Sequence, residues 1–262
     1  MKKTSMLVTE SRALAEGIYS LTLQYGPEDI PGEVRPGQFA GIFPGDASML
    51  LMRPSSICRY NKKERSLRFV YRAAGKGTRS FTALQAGEKA DMLGILGNGY
   101  DTDLMAGKRV LLLGGGIGIP PMLELAESLR EKEGTQVTAA LGYRNSDLFL
   151  KEEFEEACRV LIATEDGSLG TKGTVLDAVR AAGITADVIC ACGPMPMLRA
   201  VKAYAREKGA RCFISLEERM ACGVGACLGC VAPTVKKDAH SHVNNTRVCT
   251  EGPVFDAEYI AL

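Results

Sequence analysis

Val110-Leu111-Leu112-Leu113-Gly114-Gly115-Gly116-Ile117-Gly118-Ile119-Pro120-Pro121 is the stretch that decides the fold. Four consecutive apolar residues read as a strand buried on both faces. The glycines read as a loop, and the apolar periodicity beyond them as a helix over 122–132. Glycines after a strand and before a helix allow close approach to a pyrophosphate, which the helix N-terminus favours as an anion. The match to Gly-x-Gly-x-x-Gly fails at its last position, so the ordinary dinucleotide fingerprint is not satisfied. A plain tight turn is the alternative.

The same rhythm continues downstream. Strand 136–141, helix 147–157, strand 159–163, helix 174–182, strand 187–191, helix 195–208 and strand 212–216 alternate, which predicts a parallel, doubly wound α/β domain. Upstream, to about residue 103, the β-rich runs 17–23, 38–43 and 66–71 are punctuated by Gly26-Pro27, Pro31-Gly32 and Pro36-Gly37. Short strands at such spacing predict an antiparallel barrel. The expected fold class is therefore multi-domain β plus α/β, with borders at 1–103, 104–212 and a small C-terminal domain at 213–262.

Composition narrows the partners. The 262 residues are 46% hydrophobic and 24% charged, with a formal net charge of +1. This is globular composition with no basic field for nucleic acid or an anionic membrane. Trp is absent and aromatics are 6%, so no stacking platform for single strands is present. The start lacks a secretory apolar core, and the apolar run 110–122 is broken by glycines and prolines. A cytoplasmic protein with reduced thiols is expected. Nine cysteines then point to metal rather than to disulfides.

Cys222-x4-Cys227-x2-Cys230, with Cys249 further on, has the plant-type [2Fe–2S] spacing. Gly223-Val224-Gly225-Ala226 between the first two is small enough to wrap closely and aim N–H groups at sulfur. Four thiolates also suit zinc, but zinc sites favour two tight pairs, whereas here three cysteines crowd one loop. His240 and His242 invite a Rieske reading, yet all four cysteines are already present, and a solvated loop accounts for both histidines. Cys58, Cys158, Cys190 and Cys212 stand singly in or near apolar segments, as inert buried thiols do.

Arg53-Pro54-Ser55-Ser56 and, later, Tyr71-Arg72-Ala73-Ala74-Gly75-Lys76-Gly77-Thr78 are weak signals apart. Together, on a barrel that precedes a doubly wound domain, they resemble the ferredoxin-reductase family of FAD/NAD(P) enzymes over about the first 210 residues. The resemblance implies FAD contacts from Arg53, Pro54, Ser55, Ser56, Val70, Tyr71, Arg72, Gly77 and Thr78. Arg53 would pair with the pyrophosphate, Ser56 would lie near the flavin ring, and Gly77-Thr78 would donate to phosphate. Many members carry a tyrosine where Ser55 stands here. The same resemblance implies NAD contacts from Gly115, Gly116 and Gly118, and from Cys192-Gly193 of Cys192-Gly193-Pro194, with Cys192 a positioning residue beside the nicotinamide. Arg144, after Gly142-Tyr143, is a candidate for the adenosine end.

The order barrel, nucleotide domain, cluster resembles the electron-transfer subunits of two-subunit, NAD-dependent dihydroorotate dehydrogenases of type B. The resemblance is carried by Glu217-Glu218-Arg219-Met220-Ala221-Cys222 through Cys230, by Val248-Cys249-Thr250-Glu251-Gly252-Pro253-Val254-Phe255, and by Arg53-Pro54-x-Ser56. It implies an FAD-binding barrel, an NAD-binding domain and a [2Fe–2S] domain ligated by Cys222, Cys227, Cys230 and Cys249. It further implies an oxidoreductase subunit in pyrimidine biosynthesis. Electrons would come from the FMN of a separate catalytic subunit and pass through the cluster and FAD to NAD⁺, in a heterotetramer of two each. Small subunits of ferredoxin–NADP transhydrogenases or sulfhydrogenases share this layout. A zinc-stabilised, non-enzymatic nucleotide-binding module is a rival of another class.

Overall fold

The computed structural model describes residues 2–29, 31–239 and 242–262. Six antiparallel strands form a closed barrel: β1 (Lys3–Ala15), β2 (Ile18–Gln24), β3 (Phe39–Ile42), β4 (Arg53–Asn61), β5 (Ser66–Arg72) and β6 (Lys89–Leu96), in the order β1-β2-β5-β4-β3-β6. β1 closes it by pairing with β6, and its alternating residues Thr4, Met6 and Val8 point inward. That period of two buries one face of the strand and leaves Lys3, Ser5 and Leu7 on the outer face. A short helix, α1 (Lys76–Ser80), follows β5.

The second body is the expected doubly wound α/β unit. It contains β7 (Arg109–Gly115), α2 (Pro120–Arg130), β8 (Gln136–Tyr143), α3 (Lys151–Ala157), β9 (Arg159–Thr164), β10 (Thr171–Lys172), α4 (Val175–Ala181), β11 (Val188–Cys192), α5 (Met195–Lys208) and β12 (Arg211–Ser215). The sheet order is β10-β9-β8-β7-β11-β12, then one strand from the C-terminal tail. β7 lies between β8 and β11, so the winding reverses at its carboxyl end, where such sheets open a crevice for ligands. α2 begins at Pro120, two residues earlier than the periodicity suggests, because proline suits the first turn, where its missing N–H has no partner. α3 begins only at Lys151. Leu150 adopts φ 64°, and the preceding segment is tied down by the Tyr143 hydroxyl, which donates to Phe149 O at 2.8 Å.

The tail adds β13 (Val231–Pro233), β14 (Asn245–Arg247) and β15 (Val254–Asp256). β13 and β14 form a hairpin, while β15 pairs antiparallel with β12. β12 is thus bonded on both sides within the large sheet, and the expected border at 212/213 falls inside it. One apolar core runs from Met52 and Leu96 of the barrel through Leu113 and Ile214 of the sheet to Cys230 and Cys249 of the tail. Lys202 on α5 fastens the last residues by donating to Ile260 O at 2.6 Å. His242 is exposed, and His240 lies outside the described residues. Among the described residues no helix is long and apolar enough to cross a membrane.

The barrel meets the sheet through ion pairs. Arg59 of β4 makes a two-pronged contact with Glu127 of α2 and reaches Glu153 of α3 at 3.0 Å. Arg68 of β5 reaches the same Glu153 at 2.6 Å, and the Tyr60 N–H donates to Glu124 of α2 at 2.7 Å. Such paired, partly buried charges fix one relative placement of the two bodies.

Candidate functional site

A cleft of about 1040 Å³ opens at the carboxyl ends of β7, β8, β9 and β11 and faces the β1–β2 turn and the end of β5. It brings together Arg72, Gly115, Gly116, Gly118 and Gly193 from the expected set, and also Arg144. Gly118 is dictated by packing: a Cβ there would lie 2.3 Å from the Cys192 carbonyl oxygen. The glycine loop therefore lies flat on the end of β11, which leaves the space above it open. Gly116 approaches the Arg72 guanidinium, where a Cβ would sit 3.4 Å from Nη2. Strand β5 of the barrel thereby contributes a cation to the floor of the nucleotide domain.

Cys192 does not line the cleft. It is fully buried behind Gly118, and burial pushes its thiol well above the ordinary range, with Ser215 on the paired strand opposing the rise. A neutral buried thiol is no nucleophile. Four carboxylates line the cleft without having been singled out from the sequence. They are Glu16 in the β1–β2 turn, Asp147, Glu165 just after β9, and Glu217 beyond β12. An acidic residue directly after a strand of the nucleotide domain was the available signal for Glu165. Glu217 carried none, because it reaches the cleft only through the tail. Glu217 is exposed at the mouth of the cleft, and the partial desolvation that raises its carboxyl is opposed by Arg72.

The second constellation lies on the barrel. Arg53 begins β4, and its guanidinium packs on Gly77, where a Cβ would meet Nε at 2.1 Å. Only glycine lets the cation and the start of α1 close together, which forms a cradle of positive charge and first-turn N–H groups. The Thr78 hydroxyl is already occupied. It accepts from the N–H groups of Ala74 and Gly75 at 3.1 Å and donates to Gly75 O at 3.2 Å, so residue 78 has its backbone N–H to offer. Ser55 is buried and Ser56 half-buried beside the exposed Pro54. Tyr71 is buried, with its ring 6.0 Å from that of Tyr19 and edge-on to Phe81, and among the described residues its hydroxyl has no hydrogen-bond partner. Val70 is buried among Ile119 and Met122 in the seam between the two bodies.

The third is the cysteine loop. The N–H groups of Val224 and Cys227 each lie 3.4 Å from Cys222 Sγ, and that of Gly229 lies 3.4 Å from Cys227 Sγ. The Val224 N–H foremost draws the Cys222 thiol down to about 6. Remote Cys249 reaches the loop through the β13–β14 hairpin, where Val248 N donates to Cys230 O at 2.9 Å. Burial pushes Cys249 up to about 11, with Cys230 beside it. Cys222 lies beside Cys227, and Cys249 lies beside Cys230 with Cys222 also near. Four thiols in this spacing, with N–H groups aimed at sulfur, suit an iron–sulfur centre better than zinc, which favours two tight cysteine pairs in sequence.

Arg247, unremarked in the sequence, braces the loop by donating to Gly225 O at 3.3 Å while Glu251 holds its guanidinium. The loop rests on the barrel just before Arg53. A Cβ on Gly223 would fall 2.1 Å from Met52 Cε. Asn98 donates from the barrel to Thr250 O at 2.8 Å. Around the loop Leu50, Leu51, Val224 and Leu228 are exposed, Leu50 by 82%.

Comparison with known proteins follows this division. Residues 217–261 match the iron–sulfur cluster binding domain of dihydroorotate dehydrogenase B, and residues 112–203 an oxidoreductase NAD-binding domain. The chain is 43% identical over 264 residues to the dihydroorotate dehydrogenase B (NAD(+)) electron transfer subunit of Listeria monocytogenes serovar 1/2a, covering all of both chains. It is 40% identical over 265 residues to the subunit of the same name from Bacillus cereus strain AH187, again over the full length of both. Among solved structures, a chain of an NADH-dependent reduced ferredoxin–NADP oxidoreductase superposes with a TM-score of 0.85 at 26% identity, covering 98% of this chain and 89% of that one.

Proposed function

The chain belongs to the family of dihydroorotate dehydrogenase B electron-transfer subunits, and from that membership we propose that it carries electrons from a catalytic dihydroorotate-oxidising subunit to NAD⁺ through a [2Fe–2S] cluster and FAD. When bound, the cluster supplies one-electron transfer, and the flavin joins it to two-electron exchange with the nicotinamide. The chain's own residues hold and orient these groups. Cys222, Cys227, Cys230 and Cys249 would hold the cluster, and the Val224, Cys227 and Gly229 N–H groups would stabilise the thiolates. Arg53 and the first turn of α1 at Gly77 and Thr78 would take the flavin pyrophosphate, with Pro54, Ser55, Ser56, Tyr71 and Arg72 toward the rest of the flavin, whereas the Val70 side chain is committed to the seam between the two bodies. Gly115, Gly116, Gly118 and Gly193 floor the dinucleotide cleft, and Cys192 sets the level of that floor from behind.

One observation carries the reading: the cysteine loop stands directly against Met52, next to Arg53, so both sites meet at one seam. Glu165 at the adenosine end disfavours a 2′-phosphate, which agrees with NAD as the nucleotide. The exposed Leu50, Leu51, Val224 and Leu228 around the loop suit an apolar contact with the FMN-containing catalytic subunit, in a heterotetramer of two each. The likeness to the ferredoxin–NADP oxidoreductase chain supports a second reading, in which the catalytic partner is of that kind. Co-expression with a dihydroorotate dehydrogenase catalytic subunit decides between them. A co-purifying complex that reduces NAD⁺ with dihydroorotate is expected. NAD⁺ reduction no better than with the catalytic subunit alone would reject the first reading.

A further inference from the structure

Arg247 reaches every segment that carries one of the four cysteines. It lies two residues before Cys249, and in the β13–β14 hairpin it stands opposite Val231, the residue after Cys230. Its guanidinium crosses to the turn between Cys222 and Cys227, where Nη1 donates to Gly225 O at 3.3 Å. A Cβ on Gly225 would lie 3.3 Å from the same Nη1, and Gly225 has φ +79°, so glycine admits the cation and the turn together. The Gly225 N–H meanwhile pulls the Cys249 thiol down against the effect of burial. One residue of the turn thus faces a cation with its carbonyl and a sulfur with its N–H.

Glu251 gives this cation a direction. Its carboxylate accepts from the Arg247 backbone N–H at 2.7 Å and from Nε at 3.0 Å, and it also meets Nη2. Nη1 is left for the loop. The pair is therefore a dipole with its positive end toward the cysteines, and the Arg247 charge bears on Cys249 and Cys230 in particular. Both side chains are well exposed, Arg247 by 42% and Glu251 by 39%, and so open an ion pair adds little to stability. Its charges still act on any reaction that changes the charge beside them.

Reduction of an iron–sulfur cluster adds one negative charge within an unchanged set of thiolates. A cation at the ligand loop favours the reduced form, and a carboxylate behind it favours the oxidised form. Resting on the reading of the cysteine loop as the [2Fe–2S] site, we propose that the Arg247–Glu251 pair sets the midpoint potential of the cluster, with Arg247 raising it and Glu251 tempering the rise. Arg247 is a positioning residue, since it ligates nothing and acts through the turn it holds and the charge it supplies.

The test uses the flavin- and cluster-loaded protein in a redox titration, with the reduced cluster read by its electron paramagnetic resonance signal. At a fixed applied potential, Arg247→Gln is expected to shift the cluster about fivefold toward the oxidised form. That is a fall of about 40 mV in midpoint, at about 59 mV per tenfold for one electron. Arg247→Lys keeps the charge and should stay within about twofold of wild type. Glu251→Gln removes the opposing charge and should move the ratio the other way, by about two- to threefold. A brace that is only structural has no such sign. An unmoved midpoint in Arg247→Gln, or shifts of one sign in Arg247→Gln and Glu251→Gln, overturns the proposal. Should Arg247→Gln lose its iron, Glu251→Gln decides alone, and a midpoint that stays or falls overturns the proposal. A wild-type protein with neither iron nor this signal overturns the reading of the cysteine loop itself, which is a separate outcome.

Discussion

Gly118 and Gly223 sit in the two loops on which the chemistry rests, yet what a side chain would meet there differs in kind. At Gly118 the obstacle is backbone, with the Cys192 carbonyl oxygen 2.3 Å and the Gly193 nitrogen 2.6 Å from a Cβ. At Gly223 the nearest atom is Met52 Cε, the far end of a flexible side chain, and the main constraint is φ +68°. The nucleotide loop is thus shaped by the sheet beneath it. The cysteine loop is shaped by its own turns and the sulfurs it presents, with one brace from Arg247 and one wall from the barrel. A fold-imposed loop should transmit damage to the whole domain, and a ligand-imposed loop should confine it.

The largest expected effect breaks the second loop alone. Cys222→Ser should abolish iron binding and the visible absorption of the cluster, while ADP-ribose affinity stays within about twofold, because the damage lies outside the nucleotide sheet. Loss of ADP-ribose binding along with the iron would show that the loops are not separable. Gly118→Ala comes next. Forcing a methyl against backbone that cannot yield should cost about 3 kcal/mol or more in urea unfolding, with loss of ADP-ribose binding. Gly223→Ala should cost only about 1–2 kcal/mol, from a left-handed φ, with Met52 swinging aside. Equal costs at the two sites would remove the distinction.

This contrast also marks how far the sequence was legible. The strand–glycine–helix unit at 110–130 and the four cysteines are readable because each element's chemistry is local. Buried strands are apolar, and iron ligands keep their spacing. β1 is hard to read because the outward Lys3 and Ser5 alternate with the inward Thr4, Met6 and Val8, the outward Leu7 blurs the pattern, and the register shifts between Val8 and Glu10. β15 is three residues long and owes its existence to the edge of β12. Glu165, Glu217 and Arg247 gain their roles only from what the fold places opposite them. Likewise the engagement of the Thr78 hydroxyl and the burial of Cys192 and Val70 depend on packing between elements distant in sequence.

Glu165 sharpens the comparison at the rim of the fold-imposed loop, where a change of charge should alter selectivity and leave stability alone. Glu165→Lys should raise the kcat/KM for NADP⁺ relative to NAD⁺ by roughly 10- to 100-fold, since a like-charge clash with the 2′-phosphate becomes an attraction. Steady-state kinetics with both nucleotides in the presence of the catalytic subunit measures this. An unchanged ratio would place the adenosine elsewhere in the cleft.

The smallest expected effect concerns the brace behind the nucleotide loop. α2 starts at the loop's end and presents Glu124 to the Tyr60 N–H of the barrel. Burial lifts this carboxyl from 4.5 to about 7, against the opposing pull of the Tyr60 N–H and Arg59. Between those two values the folded chain keeps a proton that the unfolded chain has lost. The stabilisation is complete below about pH 4.5 and disappears as pH rises through about 7. At about 1.4 kcal/mol for each pH unit between 4.5 and about 7, the loss is bounded at about 3.5 kcal/mol. Glu124→Gln still accepts the Tyr60 N–H but never ionises. It should match wild type at pH 5 and exceed it by about 1–2 kcal/mol at pH 8 in urea unfolding, the remainder being recovered by Arg59 in the wild type. Iron content should not follow this pH dependence, because the seam under the cysteine loop is made of Met52, Leu96 and backbone contacts to Asn98. A variant less stable than wild type at pH 8 would mean that Glu124 is held charged by Arg59. The brace would then be ionic throughout, and the nucleotide loop would depend on the same kind of pairing that already joins Arg59 to Glu127.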